Sequence, residues 1–463
     1  MHLNSVNLAS PVDSLLSLIG KTPLVRIRAI DTGQCELYVK LENQNPSGSI
    51  KDRMALVMIE SAEREGLLKP GGTIVEATAG NTGLGLALVA AQKGYHLVLV
   101  IPDKMSQEKI FHLRAMGAQV ILTRSDVDHG HPEYYMDLAR TIAEQRGAYY
   151  VNQFENPANP LAHEQSTGPE IWEQMGHRLD AVVTGIGSGG TFTGLHRYFN
   201  KVAPTVEMIL ADPAGSVFAE MSKSGKKSKD GSYLVEGVGG SFLPAVGDLS
   251  GVKHAYTISD AESFETAREL LRTEGILGGS SSGTLVAAAL KYCRTQKKPK
   301  RVVTFICDSG NKYLSKMYND YWMIDQGFIQ RERFNDLRDL ISRRHWEGAT
   351  VTIGPEDPLQ MAYRRMKLYD VSQLPVLSDG RVVGILDESD MLAALMDDQN
   401  AFNGKVKSAM VQDVQTVEVS SSAEELVPIF KQGRVAIVVD HGKFLGLITQ
   451  IDLIHFMRRQ AAH

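Results

Sequence analysis

Residues 181–191 read AVVTGIGSGGT. Ala181, Val182, Val183 and Thr184 form a short β-branched run that suits a buried strand, and the glycines at 185, 187, 189 and 190 stop it in a turn. Glycine lets the backbone reach positive φ and come close to a ligand, so successive N–H groups can converge on an anion. A helix opening after the turn adds its unpaired N–H groups and the positive end of its dipole. Two further stretches are built alike: Thr78-Ala79-Gly80-Asn81-Thr82-Gly83 follows the run 73–77, and residues 278–284 read GGSSSGT. One such turn is an ordinary tight connection. Three in one sheet predict a ligand that carries an anion on a ring.

Outward from these turns the pattern repeats. Residues 37–41, 97–101, 120–123, 206–211 and 302–306 read as strands, and 53–65, apolar at Leu56, Val57, Ile59 and Ala62, reads as a helix. Helical periodicity fills most of the gaps, as in the βα units of a parallel sheet. The expected class over residues 20–325 is therefore α/β, with sites beyond the carboxyl ends of the strands. Gly185, Gly187 and Gly190 also satisfy Gly-x-Gly-x-x-Gly, and Asp212 stands near where a ribose-binding acid belongs, so a dinucleotide site is an alternative. Against it, this turn lies in mid-chain and is one of three. No loop closes with Gly-Lys-Ser/Thr, which removes a Walker A loop.

The 463 residues suffice for two or three domains, and 43% hydrophobic with 22% charged residues is an ordinary globular balance. The net charge of −5 is spread along the chain. Its most basic stretch, from Lys223 through Lys226 and Lys227 to Lys229, is short and lacks aromatics, so a solvated loop is expected and no nucleic-acid partner. Cys35, Cys293 and Cys307 have no metal-type spacing, so neither a metal site nor a disulfide framework is expected. Asp13 and Ser14 interrupt any signal-peptide core, and no apolar run is long enough to span a bilayer, so the expected compartment is the cytoplasm, without membrane attachment.

A charged segment, 331–344, reads as a linker that is helical or partly ordered. The tail beyond it repeats: residues 376–392 read VLSDGRVVGILDESDML and 438–454 read VVDHGKFLGLITQIDLI, in register from 376 to 438 at an offset of 62 residues. Each copy has a strand, a turn at Gly380 or Gly442, a second strand through Val383 or Leu445 and then an acid that opens a helix. Such small units pack their two copies face to face. The expected divisions are 1–330, a linker at 331–345, and copies at 346–400 and 401–463.

Lys51 stands in Asn45-Pro46-Ser47-Gly48-Ser49-Ile50-Lys51-Asp52-Arg53, a turn that leads into a helix. The positive end of that helix disfavours the ammonium form, which a Schiff-base lysine needs. Taken alone, a solvated helix-start lysine is equally compatible.

These stretches, from Ile19-Gly20-Lys21-Thr22-Pro23-Leu24 to about residue 325, resemble the fold-type II pyridoxal-phosphate (PLP) enzymes, in the group that holds cystathionine β-synthase and O-acetylserine sulfhydrylase (cysteine synthase). The resemblance implies Lys51 as the Schiff-base lysine and Asn81 as a partner of the ring hydroxyl. It implies Gly187, Ser188, Gly189, Gly190 and Thr191 as the phosphate cradle, and Ser281 as the hydroxyl at the pyridine nitrogen. Thr78, Ala79, Gly80, Thr82, Gln153, Phe154, Gly237 and Gly239 match residues on the substrate side. The tail resembles a pair of α+β CBS domains, the Bateman module, for which the resemblance implies an adenosyl ligand, S-adenosylmethionine or an adenine nucleotide. Thr449 and Asp452 match its Thr-x-x-Asp signature, whereas the first copy has Asp387 ahead of Asp390, so at most one competent site is expected.

The implied reaction is β-replacement, condensing L-serine with L-homocysteine to L-cystathionine and water. With cysteine as first substrate hydrogen sulfide is released. The alternative is cysteine synthesis from O-acetylserine and sulfide, to which Gln153-Phe154 and Gly168-Pro169-Glu170-Ile171-Trp172 are similar. The resemblance further implies a homodimer or higher homo-oligomer. Ala79 departs from the serine of many relatives, and Gly240 replaces a tyrosine of the animal enzymes, which suggests room near the second substrate. The family motif starts by Ile19, so no heme is expected.

Overall fold

The computed structural model describes residues 11–78, 80–103, 107–127, 129–227 and 229–461. These fall in two compact units that divide between Tyr318 and Asn319. The strands of the first are β1 (Leu24–Arg26), β2 (Glu36–Leu41), β3 (Thr73–Ala77), β4 (His96–Pro102), β5 (Gln119–Thr123), β6 (Tyr149–Tyr150), β7 (Ala181–Gly185), β8 (Glu207–Pro213), β9 (Val252–Ile258) and β10 (Arg301–Ile306). They form one sheet in the order β1-β2-β10-β7-β8-β9 and another in the order β5-β4-β3-β6. β1 and β2 are antiparallel, and the other pairings are parallel. Helices cover both faces, so the central strands are largely buried and mostly apolar: β7 is buried along its whole length.

The turns 78–83 and 185–191 lead from β3 and β7 into the helices Asn81–Lys93 and Gly190–Val202. The third turn departs from the expected plan. It follows the helix Asp260–Glu274 rather than a strand, because only Ile276 and Leu277 separate Gly275 from Gly278. It still reaches the sheet end, since Gly278 bridges Ser309 just past β10 and opens the helix Ser280–Arg294.

The helix Lys51–Arg64 begins at Lys51 itself. Its start is clamped by a buried charge network. Arg53 donates to Glu42 at 2.7 and 2.8 Å and to Glu170 at 2.8 Å, and Lys40 donates to Glu170 at 2.9 Å. Charges this deep persist only when each has its partner.

In the second unit the strands are β11 (Gln373–Ser378), β12 (Arg381–Asp387), β13 (Thr416–Glu418), β14 (Ala436–Asp440) and β15 (Lys443–Ile448). β11–β12 and β14–β15 are hairpins whose turns, Asp379-Gly380 and His441-Gly442, have positive φ at both residues, the two-residue loop that matches strand twist. Both hairpins shift register at the same repeat position, between Val376 and Leu377 and between Val438 and Val439. Opposite each shift stands a glycine over which another segment lies. A Cβ at Gly384 would meet Met410 Sδ at 2.8 Å, and one at Gly446 would meet Ile341 Cγ2 at 2.5 Å.

The buried cores therefore cross the expected boundaries. Leu337, Leu340 and Ile341, read as linker, are buried with Val438 and Ile448 of the second copy. Val406, placed in the second copy, is buried with Leu374 and Val376 of the first. The cause is apolar content: these residues interrupt the charged and polar stretches and fill the open face of a small sheet. Ile437, Val439 and Phe444 join Leu377, Val382 and Ile385 in a cluster shared by both copies.

Candidate active site

Strand ends bring distant motifs around one pocket in the first unit. It is lined by Lys51, Asn81, Gly187, Ser188, Gly189, Gly190, Thr191, Gly237, Ser281 and Cys307, among others. Ile50 N–H donates to the Cys307 carbonyl at 2.8 Å, so β10 positions the turn that carries Lys51. Burial lowers the pKa of the Lys51 amine, opposed by the nearby Cys307 and Asp308. An amine shifted toward its neutral form can attack an aldehyde carbon. The Cys307 thiol is pushed up to about 12, chiefly by burial, and stays neutral.

The turn 187–191 fits a phosphate. Its Ser188 and Thr191 hydroxyls join the opening N–H groups of the helix Gly190–Val202, and among the described residues no carboxylate lines the pocket. A Cβ at Gly190 would stand 1.8 Å from Asn159 Oδ1, so this close approach requires glycine. Ser281 is buried at the start of the helix Ser280–Arg294, and a Cβ at Gly237 would stand 3.6 Å from its Oγ. Asn81 Nδ2 donates to Asp308 at 2.8 Å, and Lys312 Nζ donates to Asn81 Oδ1 at 2.7 Å.

Other expected residues flank the pocket without lining it. Thr82 Oγ1 donates to Gln153 Oε1 at 2.8 Å, Gly80 N–H to Thr78 Oγ1 at 3.4 Å, and Gly239 N–H to the Ile186 carbonyl at 2.7 Å. The Phe154 ring packs on Phe242 with centroids 5.9 Å apart. Ala79 lies outside the described residues. The room expected at Gly240 is already filled on its Cβ side, because a Cβ there would meet Phe218 at 2.9 Å. Asp212 is buried and accepts from Ala219 N–H at 2.7 Å, so it secures a helix start and the dinucleotide alternative fails.

Sequence reading missed Asp308, Lys312, Cys307 and Glu76. Glu76 left a signal, an acid inside the apolar run of β3. It is fully buried, accepts from the N–H groups of Ala77 at 2.8 Å and Gln153 at 3.2 Å, and is pushed up to about 8 by burial.

In the second unit Asp452 Oδ2 accepts from Thr449 N–H at 2.7 Å and from the Thr449 hydroxyl, and Oδ1 accepts from the Ser342 hydroxyl. In the first copy Asp387 and Asp390 form a reciprocal capping box at the start of the helix Glu388–Asp397.

A family model described as pyridoxal-phosphate dependent enzyme matches residues 15–308, and one described as CBS domain matches 338–397 and 406–459. A cystathionine beta-synthase of Apis mellifera is 35% identical over 459 residues, spanning 96% of this chain and 90% of its own. A cysteine synthase of Staphylococcus aureus is 41% identical over 308 residues, 66% of this chain and 96% of its own. The crystal structure of a hydrogen sulfide-producing enzyme from Fusobacterium nucleatum matches with a TM-score of 0.61 and 39% identity, covering 66% of this chain and all of that one. With a pocket suited to the cofactor and relatives that span both of its units, the chain belongs to the pyridoxal-phosphate dependent enzymes and carries a pair of CBS domains.

Proposed function

We propose that this enzyme condenses L-serine with L-homocysteine to give L-cystathionine and water. The observation that carries this reading is the match of a cystathionine beta-synthase across both units, tail included. Bound pyridoxal phosphate supplies an electron sink for the pair left when the α-proton departs. Lys51 holds the cofactor through its Nζ and, once released, takes that α-proton, a task for which an amine of lowered pKa is suited. Gly187 to Thr191 hold the phosphate, Asn81 meets the ring hydroxyl and Ser281 the ring nitrogen. The segment 78–82 with Gln153 receives the substrate carboxylate. Hydroxide is a poor leaving group, so the serine reaction needs proton donation that an acetate ester largely escapes.

A second reading, cysteine synthesis from O-acetylserine and sulfide, is favoured by the 41% identity to a cysteine synthase over the catalytic region. Measuring kcat/KM for serine and O-acetylserine with each thiol separates the two, and a large preference for O-acetylserine plus sulfide overturns the first. The cofactor absorbance band should disappear in Lys51→Ala. The tail takes at most one adenosyl ligand, at Thr449 and Asp452, and two equal sites by calorimetry would contradict this. The chain assembles as a homodimer or larger homo-oligomer, to be read by light scattering.

A further inference from the structure

Beneath the turn 187–191 runs a segment with no role so far. The helix Ala158–Ala162 passes into one turn of π-helix, His163–Thr167, a distortion often found at functional sites. It packs tightly on the helix Gly190–Val202: a Cβ at Gly194 would stand 2.2 Å from the Pro160 carbonyl oxygen and 2.8 Å from His163 Cβ. Three fully buried polar side chains rise from it, Asn159, His163 and Thr167.

Asn159 Nδ2 donates to the Gln153 carbonyl at 2.8 Å. A carbonyl can only accept, so the amide orientation is determined, and the second Nδ2 bond, at 3.1 Å to Ser188 Oγ, is also a donation. The Ser188 hydroxyl proton is therefore free to point elsewhere. His163 Nε2 stands 3.2 Å from Thr191 Oγ1, and its Nδ1 stands 2.9 Å from Thr167 Oγ1. Burial and the cations Lys51 and Arg53 hold the imidazole neutral, so one ring nitrogen donates and the other accepts.

We propose that Asn159 and His163 are positioning residues that turn the Ser188 and Thr191 hydroxyls into donors toward the cofactor phosphate. In this arrangement the Thr167 hydroxyl donates to Nδ1, Nε2–H donates to Thr191 Oγ1, and the Thr191 proton points to the anion. The opposite tautomer would spend the Thr191 proton on the ring and aim a lone pair at a dianion. Such chains polarise one another and strengthen the terminal bond. The proposal rests on the reading of residues 187–191 as the phosphate cradle.

The test is equilibrium binding of pyridoxal phosphate, and of pyridoxal, which lacks the phosphate, to the full-length apoenzyme. Thr191→Val should weaken pyridoxal phosphate on the order of tenfold or more, the value of a hydrogen bond to a charged group, and leave pyridoxal unchanged. His163→Ala should weaken it similarly alone and add little in the Thr191→Val background. His163→Gln, which keeps a donor near the Nε2 position, should restore much of the loss. Nitrogen-15 spectra of the unsubstituted holoenzyme, assigned by the signal lost in His163→Gln, should show the Nε2–H tautomer, and this arm holds even where the Ala variant fails to fold. Unchanged affinity in Thr191→Val overturns the cradle reading itself. A Thr191→Val loss with a fully additive His163→Ala loss, or an Nδ1–H tautomer, overturns the relay and leaves the cradle standing.

Discussion

Two single residues make separate predictions, Glu76 for stability and Ser281 for chemistry. Glu76 ionises only above about 8 in the folded chain, and at the ordinary carboxyl value when unfolded. Between those values the unfolded state releases the proton and the folded state keeps it, so stability falls as pH rises, by at most about 1.4 kcal/mol per pH unit. Below that window both states hold the proton and the loss is absent. Glu76→Gln should therefore gain Tm relative to the parent as pH is raised from 5 to 8, and a difference that stays constant over that range would contradict the burial of an acid there. Ser281, proposed at the ring nitrogen, is neutral, and a carboxylate in its place would hold that nitrogen protonated. Ser281→Asp should lose most β-replacement, show a new long-wavelength absorbance with substrate and leak transamination product, whereas Ser281→Ala loses one hydrogen bond of about 0.5 to 1.5 kcal/mol. Rapid-scan spectra with product analysis decide the matter. At this scale the sequence exposed the residues that sit in glycine-rich motifs, because the motif is local. Asp308 and Lys312 meet Asn81 from more than 200 positions away, and no local pattern announces such a meeting.

Among elements, legibility followed burial. The central strands β3, β7 and β10 are buried on both faces and read as mostly apolar runs, whereas the strands missed, β1, β6 and β9 and, in the tail, β13, are all sheet edges. β1 and β9 are largely exposed or half-buried, so hydrogen bonding to a neighbour holds them without an apolar signature. The third glycine turn misled for a related reason, since a ligand loop needs a sheet end nearby and not a strand before it in sequence. The helix Gly190–Val202 depends on its first residue. Gly190→Ala should force the helix start away from Asn159, at a cost of about 1 to 3 kcal/mol for an overpacked site, and should weaken cofactor binding more than it lowers the urea midpoint of the apoenzyme. In the tail, Asp387→Ala should cost about 0.5 to 2 kcal/mol through the lost helix cap, visible as a lower melting temperature of the CBS pair alone.

The chain forms two compact units, and each described apolar cluster lies inside one of them, so calorimetry should resolve two transitions, and pyridoxal phosphate should raise only the one that belongs to the catalytic unit, in proportion to RT ln(1 + [L]/Kd). One merged transition that shifts as a whole with the cofactor would contradict independent cores. Composition could bound the number of domains but not which residues finish each core, because a few apolar residues in a charged stretch look like noise until a sheet face needs covering. The glycines opposite the two register shifts bear on how force enters the tail. The chain leaving the catalytic unit runs first across the copy that comes last in sequence, where Ile341 is pressed on Gly446 and Ser342 is bonded to Asp452. Any tug along residues 331–336 is thus borne by the far copy before the near one, as a rope tied to the back of a load. A ligand that took the place of Ser342 at Asp452 would slacken the knot by which the chain is tied to that copy.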